Sequence, residues 1–133
     1  MTAEIRVPIH EEPDILVARQ KGRTLAAELG FSTGDLALIA TAISELTRNV
    51  IAYAGAGELA MRVVAKGSRR GVEIVVRDTG PGIPNLELAM QDGYSTGGGL
   101  GLGLPGARRL MHEFHIESQV GQGTTVTMRR WKG

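Results

Sequence analysis

The 133-residue sequence predicts an α+β two-layer α/β sandwich, a mostly antiparallel sheet with helices on one face. Three observations carry that reading. Two amphipathic helical patterns come early and are not interleaved with strands. Alternating apolar residues then occur in pairs around tight glycine turns, which marks hairpins. The order departs from the strand–helix–strand repeat of a parallel sheet.

The elements follow in sequence. Residues 4–9 read as a short strand. Pro13 and Asp14 open a helix with apolar or small positions at Ile15, Ala18, Gly22, Leu25, Ala26 and Leu29, and Gly30 stops it. Ser32 or Thr33 can cap a second helix over residues 35–53, striped by Leu36, Ile39, Ala40, Ile43, Leu46, Thr47 and Val50. Leu59, Met61, Val63 and Ala65 alternate as a strand. The chain turns through Gly67 to Gly71, and Val72, Ile74 and Val76 alternate again. Residues 105–114 form a helix with Pro105 in its first turn. Residues 116–120 and 124–131 close the chain as two strands around Gly121, Gln122 and Gly123. No repeat or linker interrupts residues 1–133, which read as a single domain.

Composition removes several function classes. The 15 basic and 14 acidic residues nearly cancel, which argues against a nucleic-acid partner. There is no long apolar run and no apolar leader core, so the expectation is a cytoplasmic protein without a membrane partner. The absence of cysteine excludes disulfides, thiolate zinc sites and cysteine nucleophiles. Glycine is the outlier: 19 in all, with eight in residues 78–103, a long irregular stretch inside a small chain.

Four motifs carry chemistry. Glu45 and Asn49 are four apart, so they share a helix face. Leu38, Ala42 and Ala52 lie on that side, which suits a cleft wall better than a solvated face. Glu45 can serve as a general base, and the Asn49 amide oxygen can hold a hard cation. The plain alternative is a surface acid paired with Arg48. Next, Asp78-Thr79-Gly80-Pro81-Gly82-Ile83 follows a strand. Its carboxylate can accept from an exocyclic amine such as that of adenine, or the segment is simply a turn. The third motif, Gly97 to Gly103, leads into a helix, where converging backbone N–H groups and the helix dipole suit phosphate, although a hinge is the alternative. Arg108 or Arg109, just beyond it, could reach the same anion. The fourth is Gly121-Gln122-Gly123-Thr124-Thr125, which alone is only a hairpin turn. His10, His112 and His115 are too few and too scattered for a metal site.

In this order and spacing the motifs resemble the nucleotide site of the GHKL ATPase/kinase superfamily, which includes gyrase, Hsp90, MutL and histidine kinases. Residues 45–49 resemble its N box, and 78–82, 99–103 and 123–125 its three glycine boxes. The resemblance spans about residues 33–130. Residues 41–49, 80–84, 90–96 and 98–106 are similar to the serine/threonine-protein kinases of bacterial partner-switching systems, most of all the stressosome switch kinases. Within residues 1–133 no helical segment with a phosphoacceptor histidine is read before the motifs, so a complete sensor histidine kinase is not expected.

The resemblance implies a Bergerat fold and Mg-ATP bound under a lid over residues 85–99, expected to be unordered without nucleotide. Asp78 would take the adenine amine, with Gly80 and Gly82 leaving room for the ring and Ile83 packing near it. Thr124, and less directly Thr125, would help on the adenine edge. Asn49 would hold Mg2+, and Gly99, Leu100, Gly101, Leu102 and Gly103 would wrap the phosphates. Glu45 would orient or deprotonate the attacking hydroxyl. The implied substrate is a serine on a STAS-domain scaffold protein. The released kinase would bind and activate a PP2C-type phosphatase. The alternative is an anti-sigma-factor kinase that sequesters a sigma factor and phosphorylates a STAS antagonist.

Overall fold

The computed structural model describes residues 4–82 and 103–132. Strand β1 (Glu4–Ile9) leads into helices α1 (Glu12–Leu29) and α2 (Thr33–Asn49). The hairpin β2 (Gly57–Lys66) and β3 (Arg69–Asp78) follows, then helix α3 (Gly103–Leu110) and the hairpin β4 (Glu113–Gln119) and β5 (Gly123–Trp131). The strands form one five-stranded sheet in the order β1-β2-β3-β5-β4, and every neighbouring pair is antiparallel. The expected α+β class is therefore the observed one. Among the described residues no helix is long and apolar enough to cross a membrane.

Local chemistry sets the helix ends. The Asp14 carboxylate accepts from the backbone N–H groups of His10 at 2.8 Å and Glu11 at 3.1 Å, which caps α1. Those two bonds hold its carboxyl below the usual range. Gly30, in the left-handed conformation, ends α1. Ser32 Oγ accepts from Asp35 N at 3.2 Å and starts α2.

Two boundaries differ from expectation. The second helix does not continue to residue 53 as α-helix; after Asn49 it widens into a π-helical turn, Val50–Ala54, closed by the Gly55 N–H on the Val50 carbonyl at 2.8 Å. The third helix stops at Leu110, not residue 114. The His112 N–H bonds the Arg129 carbonyl of β5 at 3.0 Å, so the chain is drawn into the sheet, and Phe114 pairs with Met128. The apolar spacing of Leu110, Met111, Phe114 and Ile116 fits either structure, and the ladder to β5 decides.

Alternation divides the sheet into two faces. Ile9, Leu59, Met61, Val72, Ile74 and Met128 are buried in the core cluster with Ala18, Leu25, Ile39, Ile43 and Leu46 of the helices. Helix α1 packs closely because Gly22 lacks a side chain, and a Cβ there would strike the tip of Ile43. The outer face carries a charge ladder. Glu4 sits opposite Arg62, Arg62 opposite Glu73, Glu73 opposite Arg129 and Arg129 opposite Glu113, one residue per strand. Glu73 is buried at its centre, 2.9 Å from Arg62 and 2.7 Å from Arg129. Trp131 Nε1 donates to Glu113 at 2.6 Å at the ladder's end.

Candidate functional site

The site forms where the C-terminal end of α2 meets the ends of β3 and β5. Glu45 lies in the penultimate turn of α2 and is only 5 % exposed. Arg48 Nη1 donates to its carboxylate at 3.0 Å. The plain alternative is thus right about the partner and wrong about the setting, because the acid is buried. Ala42 is buried and Leu38 half-buried beside it, as a cleft wall requires, whereas Ala52 is exposed. Asn49 ends α2 and is half-buried.

Asp78 ends β3, with Gly57 of β2 on one side and Thr124 of β5 on the other. One of its oxygens accepts from Gly80 N–H at 3.0 Å, which folds the strand exit back on itself. Thr124 is held by its neighbour Ser118, with the two hydroxyl oxygens 2.8 Å apart. Because Val76 and Val126 face the helices, so do Asp78 and Thr124 two residues further along their strands. Thr125, expected to assist, is opposite Arg77 on the outer face, so alternation separates it from Asp78.

Glycines let these elements approach. A Cβ on Gly123 would overlap the Asp78 carbonyl oxygen, and its φ of +122° is one that L side chains rarely adopt. A Cβ on Gly80 would come within 2.8 Å of Ala54 Cα in the π-helical turn. One on Gly57 would come within 2.8 Å of Val50 Cγ1. The end of α2 is thereby pressed against the strand ends that carry Asp78. At Gly80 and Gly82 the space a side chain would take is filled by Ala54 and by the Gln119 backbone, that is, by the chain itself. Their bareness lets the turn pack against these two segments.

Ile83, Gly99, Leu100, Gly101 and Leu102, and the lid over residues 85–99, lie outside the described residues. Gly103 begins α3, which packs on α2 with Leu104 and Ala107 buried. Arg108 and Arg109 are exposed in its last turn. Sequence reasoning missed Ser118 and Ala54. The first was legible from the hairpin register, six residues before Thr124 around a glycine turn. The second depends on the π-helical turn, for which the sequence carries no motif.

The donor set suits a nucleotide. Asp78 keeps a second carboxylate oxygen with no bond among the described residues, Thr124 offers a fixed hydroxyl, and Asn49 and Glu45 supply an amide and an acid one helical turn apart. Comparison with known proteins agrees. Residues 34–132 match the family described as histidine kinase-, DNA gyrase B-, and HSP90-like ATPase. The chain is 51 % identical over 125 residues to the serine/threonine-protein kinase RsbT of Bacillus subtilis, covering 94 % of each. It is 32 % identical over 120 residues to the anti-sigma F factor of Geobacillus stearothermophilus, covering 85 % of this chain and 81 % of that one. A crystal structure of the RsbU and RsbW domains of Rv1364c from Mycobacterium tuberculosis shares the fold, with a TM-score of 0.67 at 24 % identity over 100 % of this chain and 33 % of that one. The chain therefore belongs to the histidine kinase-, DNA gyrase B- and HSP90-like ATPase family, and within it to the serine/threonine-protein kinases related to RsbT.

Proposed function

We propose that the chain is a cytoplasmic, ATP-dependent kinase of a partner-switching pathway. It transfers the terminal phosphate of ATP to a serine of a STAS-domain scaffold protein. Once released, it binds and activates a PP2C-type phosphatase. The observation that carries the site reading is the strand register that sets Asp78 beside Thr124, next to the end of α2 with Glu45 and Asn49.

In this reading the second oxygen of Asp78 accepts from the adenine amine, and the Thr124 hydroxyl, steadied by Ser118, hydrogen-bonds the base edge. Asn49 would hold Mg2+, which would neutralise charge on the phosphate oxygens. Backbone N–H groups at the start of α3, where Gly103 lies, would bind the phosphates. Glu45, held by Arg48, orients the serine hydroxyl and takes its proton as the new phosphoester bond forms and the bond to ADP breaks.

Labelled ATP and a STAS-domain protein test this directly. Glu45→Ala and Asn49→Asp should each cut transfer by about 100-fold or more. Full transfer in both variants would overturn the site assignment. The anti-sigma reading has support in the 32 % identical relative, but the 51 % identical kinase outweighs it. Capture of a sigma factor, with no transfer to or binding of scaffold STAS proteins, would reverse that order.

A further inference from the structure

Arg130 is the one inward-facing cation of β5 in the described structure, and its side chain is only 15 % exposed. A guanidinium in such a place must be satisfied by fixed partners. Nη2 donates to Asp35 Oδ1 in the first turn of α2 at 2.7 Å, and Nη1 donates to the carbonyl of Leu110, the last residue of α3, also at 2.7 Å. Nε is buried and has no partner among the described residues. One planar fork thus joins the start of one helix to the end of another, a geometry that lysine cannot reproduce with a single point charge.

The two helices pack against each other. Since the start of α2 meets the end of α3, they run antiparallel. Their opposite ends carry Asn49 with Glu45 on α2 and Gly103 on α3. Helix α3 is only about 12 Å long, so a shift at Leu110 is passed almost undiminished to Gly103.

We propose that Arg130 is a positioning residue for the nucleotide site, bolting α2 to α3 at the end remote from the bound phosphates so that Gly103, at the other end of α3, is held at a fixed place along α2. This rests on the nucleotide reading above. The Asp35 carboxyl is in turn held below its usual range, chiefly by the Arg130 hydrogen bond.

The test is Mg-ATP affinity and steady-state kinetics of the full chain with Arg130→Met, Arg130→Lys and Asp35→Asn. Arg130→Met should raise the KM and Kd for ATP about tenfold while kcat at saturating ATP stays within about twofold, because binding is lost uniformly. Asp35→Asn should weaken binding less, and the double variant should be no worse than Arg130→Met alone, since both act through one bond. A merely stabilising arginine would lower the melting temperature without this split or this non-additivity. Arg130→Lys keeps the charge and gives the same readout if the Met variant does not fold. Wild-type affinity in folded Arg130 variants would overturn the inference alone. Failure of the unaltered protein to bind Mg-ATP would overturn the nucleotide reading and the inference with it.

Discussion

Strand β3 carries two acids five positions apart, Glu73 and Asp78, and their surroundings differ in every respect that matters. Glu73 faces outward yet is 6 % exposed, clamped between Arg62 and Arg129. Burial pushes its carboxyl up, but the two guanidinium groups outweigh that and hold it below the usual range. Asp78 faces the helices, is half-buried, and has one backbone N–H as its partner among the described residues. The first acid is fully occupied by the fold. The second has acceptor capacity to spare at the end of a strand where three elements converge. Burial and charge therefore do not single out the acid proposed to bind the nucleotide; spare acceptor capacity among the described residues does.

The largest effect should come from forcing the two strand ends apart. Gly123→Val places a side chain on the Asp78 carbonyl and demands an unfavourable φ, so it should cost about 3 kcal/mol or more of stability and abolish nucleotide binding. A thermal melt at the wild-type temperature would contradict the close packing described. Next, Glu73→Ala should lose about 1–3 kcal/mol, since it strands two arginines that are themselves partly solvated, and ATP affinity should stay within about twofold. Asp78→Asn should invert that pattern. The amide oxygen keeps the bond to Gly80, so stability changes by less than about 0.5 kcal/mol, while ATP affinity falls about tenfold. Equal loss of stability in both variants would erase the distinction.

A smaller effect sharpens it through pH. Glu73 has a folded pKa below its ordinary 4.5, so it binds fewer protons folded than unfolded. Its contribution is complete above the unfolded value and is lost as pH falls through the lowered folded value. Arg62 and Arg129 face it, with Glu4 and Glu113 one step beyond on the ladder. Denaturation of wild type and Glu73→Gln from pH 7 to pH 3 should show a stability gap that closes below about pH 4.5. A gap independent of pH would remove the electrostatic explanation.

Much of this was readable from local spacing. Helix α1 ends at its glycine, α2 begins at its serine cap, and the β2–β3 hairpin turns where alternation breaks, because each signal lies within a few residues of its effect. Glu45, Asn49 and Asp78 were singled out the same way, and they lie at the ends of α2 and β3. The π-helical turn and the early end of α3 were not readable, since packing against β3 and a bond to β5 determine them. The outward aspect of Thr125 needed the register of β3 on β5. The tie between Arg130 and Asp35 spans 95 residues, beyond any local pattern.

The charge ladder has one more consequence. Apolar alternation rejects any slip of β5 along β3 by an odd number of residues, since that would turn the core outward. It is blind to a slip of two, which keeps every side chain on its proper face. Such a slip would set Glu73 against Thr127 or Trp131 and leave Arg129 facing Val75 or Gly71. The alternating acids and bases thus act as a key that admits one alignment among the even-numbered ones, and only in that alignment does Thr124 arrive beside Asp78.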